Sequence, residues 1–183
     1  AFEAETGKKA APFGVNLIVH ATNMRVQADL EICVKHQVPL IITSLGAVAQ
    51  LVDVVHSYGG LVYHDVIKKR HAEKAAEVGV DGLILVAAGA GGHAGTLHPI
   101  ALINEIKKFF NKTILLSGCL STGKDVASAM QMGADMAYMG TRFINVEESM
   151  ADEEYQKMIV ESSAEDIIYT AAVSGVHASF LRP

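Results

Sequence analysis

Few cysteines, no basic run longer than the triplet Lys68-Lys69-Arg70 and no long apolar segment characterise the chain of 183 residues. Cys33 and Cys119 are its two cysteines, and because they have no CxxC spacing we expect reduced thiols in a cytoplasmic protein. No apolar run approaches the roughly 20 residues of a membrane-spanning helix, and the first residues lack the form of a signal peptide. Without clustered basic residues and with a net charge of -5, nucleic acid is not the expected partner.

The composition is that of a folded protein, since 50% of the residues are hydrophobic and 19% are charged. The length allows one domain with a sizeable core. We therefore predict a single domain over residues 1–183.

A repeated strand-helix pattern dominates the chain. Apolar segments predict strands at 15–19, 38–44, 61–64, 82–86, 113–116 and 135–139. Helical patterns separate them at 26–35, 47–56, 70–78, 99–109 and 122–132. Two short repeats, Gly79-Val80-Asp81 and Gly133-Ala134-Asp135, each end a helix and open a strand. Beyond them, 147–163 is expected to form one or two surface helices and 173–183 to be irregular.

Strands that are apolar on both faces favour a parallel sheet covered by helices on both sides. Two architectures fit, a (β/α)8 barrel and a doubly wound open sheet. Six strands are predicted, so a barrel would lack two βα units, most plausibly at the N-terminus.

The most informative stretch is the loop Gly89-Ala90-Gly91-Gly92-His93-Ala94-Gly95, which follows the buried strand 82–86. Four glycines let the backbone approach a flat or charged group, and an imidazole in their midst indicates chemistry. The match to a dinucleotide fingerprint is weak, because no acidic residue ends the next strand. A Walker A loop is excluded, since no Gly-Lys-Ser/Thr follows.

Two further turns follow successive strands, Ser117-Gly118-Cys119 and Gly140-Thr141. In a barrel the loops after the last two strands are the usual phosphate site, together with the N-terminus of a helix such as the one near 122–123. Taken singly, these glycines could also be ordinary turn residues. Combined with the His93 loop, they favour a phosphate site.

Four segments in order resemble the nitronate monooxygenase family, formerly called 2-nitropropane dioxygenases, whose members are FMN-containing (β/α)8 barrels. The segments are residues 12–17, 91–95, 117–123 and 132–143. Residues 175–182 are similar to a further family segment more weakly.

The resemblance implies a flavoprotein oxidoreductase that oxidises nitronates or nitroalkanes with O2, acting as a monooxygenase or dioxygenase. His93 stands at the position of the catalytic base that takes the α-proton of a nitroalkane. Flavin-binding positions fall on Asn16, Thr22, Gly91, Gly92 and Ser117, and phosphate-binding positions on Gly118, Cys119, Gly140 and Thr141. The implied partners are a small-molecule substrate and O2. No metal ligands are indicated, and a homo-oligomer remains open.

The chain departs from the family at four places. Cys119 replaces a glycine, so its turn must accommodate a Cβ, and Gly89 replaces an acidic residue of some members. Asp65 replaces a basic residue that contacts the flavin in some members. The first two strands of the family barrel are absent, so we expect the intact protein to be longer.

Two other histidines, His20 and His64, are expected at the C-terminal ends of strands and are candidates for lining the pocket. The remaining five are expected at the surface or at helix ends; they are His36, His56, His71, His98 and His177.

Two alternatives to nitronate oxidation remain. One is an FMN- and NAD(P)H-dependent enoyl-ACP reductase, because such reductases are similar in the same motifs. The other is a cofactor-free remnant that binds a phosphorylated metabolite or serves as a structural subunit.

Overall fold

The computed structural model describes residues 2–46, 49–173 and 175–182. Its helices are α1 (Phe2–Thr6), α2 (Val26–Lys35), α3 (Ala49–His56), α4 (Lys69–Glu77), α5 (Pro99–Ile106), α6 (Gly123–Gln131) and α7 (Glu153–Glu161). Its strands are β1 (Gly14–Ile18), β2 (Leu40–Ser44), β3 (Leu61–Val66), β4 (Gly82–Val86), β5 (Gly92–His93), β6 (Thr113–Ser117), β7 (Met136–Tyr138), β8 (Ile167–Thr170) and β9 (Ala178–Leu181). No helix of the described residues is long and apolar enough to cross a bilayer.

The observed bounds follow the predicted βα period closely. Helix α2 and strand β4 have the predicted limits, and the other predicted strands and helices shift by a few residues at their ends. Ala47, the predicted first residue of the helix 47–56, lies outside the described residues. The α/β class is therefore confirmed.

Close packing divides the chain into two units. The first consists of Ala1–Asp65 and Lys74–Gly82, and the second of Val66–Glu73 and Leu83–Pro183. One domain over residues 1–183 stays a prediction.

The first unit is built on three parallel strands in the order β1-β2-β3. Leu17 pairs with Thr43 and Thr43 with His64, and all three side chains are buried on one face. Because side chains alternate along a strand, Ser44 and Asp65 belong to the opposite face. This alternation decides which polar groups can meet.

The second unit contains β4, β6 and β7 as neighbours in chain order, with β6 and β7 parallel. Its strands and helices both contribute apolar side chains to the core, as Leu85, Ile103 and Leu116 show with no exposed surface. Burial of each such side chain contributes roughly 1.5–3 kcal/mol, so these strands form a rigid base for the loops that follow them.

The two Gly-x-Asp repeats have the same structure. The Asp81 N–H donates to the Val62 carbonyl at 2.8 Å, and the Asp81 carboxylate accepts from the Val62 N–H at 2.9 Å. Asp135 makes the same pair of bonds with Ile114, each 2.8 Å long. Each repeat lies between the end of a helix and the start of a strand, as predicted, and its aspartate also joins the start of that strand to its neighbour.

The C-terminal segment departs from the prediction. Residues 173–183 were expected to be irregular, but β9 pairs with both β8 and β5 in a three-stranded antiparallel sheet. The expectation is wrong at 178–181 because a four-residue strand gives too short an alternation to recognise from sequence. The predicted surface helix in 147–163 is present as α7.

Candidate functional site

Three loops that carry predicted site residues begin at the carboxyl ends of β4, β6 and β7 in the second unit. Ser117 at the end of β6 pairs with Tyr138 at the end of β7. The Ala87 N–H, directly after β4, donates to the Ser117 carbonyl at 3.0 Å. Parallel strands thus bring the His93 loop and both glycine turns to one edge.

The His93 loop is fastened to the turn after β6. The Cys119 N–H donates to the Gly89 carbonyl at 3.1 Å, and the Cys119 Sγ lies 3.6 Å from the same oxygen. A Cβ at Gly89 would overlap that sulfur, and a Cβ at Gly118 would lie 2.8 Å from the Ala88 carbonyl oxygen. Both glycines have positive φ, +85° and +135°. The loop and the turn approach so closely because these positions lack side chains.

Cys119 adopts the left-handed conformation with φ of +53°. The family resemblance places glycine here, and the prediction that this turn must accommodate a Cβ is confirmed. The thiol is exposed and is not part of a disulfide. Because the Cys119 N–H already bonds Gly89, a phosphate at this turn would compete with Gly89 for that donor.

The turn after β7 reaches the same loop. A Cβ built on Gly91 would lie 2.9 Å from the Thr141 Oγ1, so this backbone and this hydroxyl are in close contact. At Gly92 and Gly140, by contrast, a Cβ would meet no atom within 4 Å. Open space beside two glycines is what a flat or anionic group needs, and the arrangement fits a bound cofactor.

His93 lies in β5, where it pairs with Ala178 of β9 and keeps an exposed side chain. The Tyr169 hydroxyl donates to the Ala94 carbonyl at 2.9 Å. The Tyr169 ring also stacks on His177, with centroids 5.2 Å apart. The C-terminal hairpin therefore fixes the backbone on both sides of His93.

Sequence reasoning missed this contribution of the C-terminal hairpin. His177 is exposed, as expected of a surface histidine, yet it stacks on the tyrosine that holds the His93 loop. The faint signal was the β-type run Ile167–Thr170, which carries Tyr169 and which the sequence prediction left unassigned.

The N-terminus of α6 is already occupied by a carboxylate. Thr122 caps the helix, and the Asp125 Oδ2 accepts from the N–H groups of Ser121 and Thr122 at 2.9 and 2.7 Å. These hydrogen bonds hold the pKa of Asp125 below its usual range. The helix begins where predicted, but its negative cap opposes an anion there, so the phosphate role of this helix stays a prediction.

In the first unit, Asn16 and Asp65 are joined through Ser44. The Ser44 hydroxyl lies 3.0 Å from the Asn16 Oδ1 and 2.6 Å from the Asp65 Oδ2. Burial raises the pKa of Asp65, while the bond from Ser44 lowers it. The residue that replaces a basic group of the family is thus a half-buried acid next to a predicted flavin contact.

The other candidates of the first unit form separate pairs. The His20 Nδ1 lies 2.9 Å from the Thr22 Oγ1, and both side chains are exposed. His64 is buried, with its Nδ1 2.7 Å from the Thr43 Oγ1. His64 therefore belongs to the face opposite Asp65. Among the described residues, no group of three or more His, Cys, Asp and Glu side chains could hold a metal ion.

The βα order and the glycine loops at the carboxyl ends of the strands define the class of parallel α/β proteins. The sequence profile described as nitronate monooxygenase matches residues 8–182. The chain belongs to the nitronate monooxygenase family. The match includes residues 175–182, so the weaker resemblance predicted there is confirmed.

Individual relatives agree with the family. The chain is 30% identical over 115 residues to a nitronate monooxygenase from Paraburkholderia phytofirmans, covering 56% of this chain and 31% of the relative. Its fold is similar to that of FabK from Thermotoga maritima, with 28% identity, a TM-score of 0.85 and coverage of 100% of this chain and 58% of that one.

A nitroalkane oxidase from Streptomyces ansochromogenes shares the fold at a TM-score of 0.86 and 19% identity, over 98% of this chain and 63% of that chain. These neighbours confirm the barrel-type fold class. The chain spans 44–48% of the length of three curated relatives that it matches over 90% or more of its own residues.

Proposed function

We propose that the protein is an FMN-dependent oxidoreductase that oxidises nitronates or nitroalkanes with O2, with His93 as its general base. The observation that carries the proposal is the junction in the second unit. There the loop of His93 is bonded to the turn at Cys119 and contacts Thr141. A loop that carries an imidazole and is held against two glycine-containing turns suits a general base near a bound cofactor.

In this proposal the FMN phosphate lies at the turns 117–119 and 140–141, and the ring lies beside Gly91 and Gly92. Asn16 and Thr22 are further proposed flavin contacts, on the family resemblance. When bound, FMN supplies the acceptor for the substrate electrons, which pass on to O2. The open space at Gly92 and Gly140 supports this assignment, since neither backbone is covered by another side chain.

The proposed task of His93 is to take the α-proton of a nitroalkane. Its side chain is exposed, so a small substrate can reach it, while pairing with Ala178 and the Tyr169 bond to Ala94 hold the backbone in place. General base catalysis of this kind contributes roughly 10²–10⁴-fold to rate. A nitronate arrives already deprotonated and needs the base much less.

Comparison of nitroethane with ethylnitronate tests the role of His93. In His93→Gln we expect nitroethane turnover to fall by roughly 10²–10⁴-fold and ethylnitronate turnover to change by less than about tenfold. FMN absorbance should show that the cofactor stays bound. His36→Gln, at the end of α2, is the matched control and should leave both rates unchanged. Equal nitroethane turnover in His93→Gln with FMN bound would exclude His93 as the base.

Thiol labelling tests the cofactor position without turnover. Cys119 is exposed at the proposed phosphate turn, whereas Cys33 is buried in the first unit. Saturating FMN should slow alkylation of Cys119 and leave alkylation of Cys33 unchanged. If bound FMN left the alkylation rate of Cys119 unchanged, the cofactor would have to bind elsewhere.

The enoyl-ACP reductase-like function is a second candidate, favoured by the 28% identity to FabK over the whole chain. It is distinguished by anaerobic addition of NADPH. Rapid bleaching of the flavin bands without substrate would favour the reductase, whereas bleaching by ethylnitronate alone favours nitronate oxidation. A protein that binds no flavin would support the cofactor-free alternative.

A further inference from the structure

The hydroxyl of Ser44 cannot donate to both Asn16 and Asp65 at the same time. Ser44 has a single hydroxyl proton, yet its oxygen lies within bonding distance of the Asn16 Oδ1 and the Asp65 Oδ2. Both neighbours act as acceptors when Asp65 is ionised and the amide keeps this orientation. One of the two contacts must then lack a proton.

Two complete arrangements resolve this conflict. If Asp65 carries a proton, it donates to Ser44 and Ser44 donates to the Asn16 Oδ1, which leaves the amide NH2 group to face a ligand. If Asp65 is ionised, Ser44 donates to Asp65, and the Asn16 amide turns so that its Nδ2 donates to Ser44. Its oxygen then faces the ligand.

We propose that Asp65 is a positioning residue that acts through Ser44 to decide which end of the Asn16 amide meets a bound flavin. The flavin contact rests on the proposed function, whereas the hydrogen-bond chain is a property of the first unit alone. Asp65 itself need not touch the cofactor.

The surroundings of Asp65 favour a proton on its carboxyl group. The side chain is half-buried, and burial is the larger of the two influences on its pKa and raises it. Its partner on β2 is the uncharged Ser44, and Asn16 on β1 is also uncharged. His64, next to it on β3, bonds Thr43 on the opposite face. Among the described residues no charged side chain contributes to this shift.

The two arrangements should bind FMN with different affinity. The protonated form offers two amide donors to a ring carbonyl and places no carboxylate charge near an anionic cofactor. We expect binding to be about three- to tenfold tighter below the Asp65 titration than above it, the effect of about one hydrogen bond.

Nuclear magnetic resonance of the whole chain tests the proposal, with the Asp65 carboxyl ¹³C and the Asn16 side-chain ¹⁵N followed against pH. In the wild type the two signals should share one midpoint. In Ser44→Ala the Asp65 midpoint should move to higher pH, because the bond that lowers its pKa is lost, and the Asn16 signal should stop following it. Ser57→Ala, which removes a hydroxyl bonded to the Val54 carbonyl, should behave as wild type.

The proposal would be overturned if the Asn16 signal of the wild type did not change as Asp65 titrates. It would also be overturned if the two signals still shared one midpoint in Ser44→Ala. The pH dependence of FMN affinity should also shrink in Ser44→Ala, whereas simple charge repulsion from Asp65 would leave it intact. If FMN bound at no pH, the proposed function would fail, and the two resonances would still decide the hydrogen-bond chain.

Discussion

Replacing Gly118 by alanine should weaken the junction between the His93 loop and the turn after β6. Its φ of +135° is a conformation that costs about 1–3 kcal/mol for an L side chain. The new Cβ would also lie 2.8 Å from the Ala88 carbonyl oxygen, a backbone atom that cannot rotate away. Such overpacking costs a further ~1–3 kcal/mol. We therefore expect a loss of about 4 kcal/mol in the free energy of unfolding.

Urea unfolding followed by circular dichroism measures this loss, with Gly59→Ala as the matched control. Gly59 also has positive φ, +84°, but a Cβ there would meet no atom within 4 Å. The control isolates the conformational cost, about 1–2 kcal/mol. If Gly118→Ala cost no more than Gly59→Ala, the close approach of the turn to Ala88 would be refuted. Failure of Gly118→Ala alone to fold would agree with the larger cost.

Three further predictions concern single side chains. Tyr169→Phe removes the hydrogen bond to the Ala94 carbonyl and should lower the free energy of unfolding, measured in urea, by about 1 kcal/mol. The control Tyr155→Phe on α7 should change it by less than about 0.5 kcal/mol. Asp125 has a lowered pKa in the folded state, so it stabilises the fold above its unfolded pKa and this contribution is lost as pH falls through the folded pKa. The melting temperatures of wild type and Asp125→Ala should accordingly differ at pH near 7 and converge in strong acid. Cys119 should react with a thiol reagent much faster than Cys33, which is buried and whose pKa burial raises; similar rates would contradict the structure.

Much of the fold was predictable because its signals are local. Strand β4 is a continuous apolar run and helix α2 lies between two recognisable strands, and the structure confirms their predicted limits. The Gly-x-Asp repeats were recognisable because the same three-residue pattern twice follows a helix and precedes a strand, whereas the bond from each aspartate to the neighbouring strand needed the structure. The positive φ of Cys119 was predictable only through the family resemblance.

The parts that could not be predicted depend on contacts between distant residues. The Tyr169 hydroxyl donates to the Ala94 carbonyl, 75 positions away, and the residues around Tyr169 do not indicate that partner. The link between Asn16, Ser44 and Asp65 depends on the register of three strands, which periodicity does not supply. At the start of α6 the predicted anion site meets the Asp125 carboxylate, which folds back to accept from the Thr122 N–H.

The roles of the predicted site residues stay predictions, and their placement now makes them testable. The turns 117–119 and 140–141 converge on the His93 loop in the second unit. Asn16 and Asp65 form one chain of hydrogen bonds in the first unit, and His20 and Thr22 form a separate pair. Whether the protein forms a homo-oligomer is a question for solution measurements of mass.

The most direct test of the account is the visible spectrum of the FMN-loaded protein during anaerobic addition of ethylnitronate, followed by air. We predict that the flavin bands bleach with ethylnitronate and return with O2. Nitroethane should bleach them in the wild type and far more slowly in His93→Gln. Flavin bands that ignore both substrates yet bleach with NADPH would contradict nitronate oxidation and support the reductase.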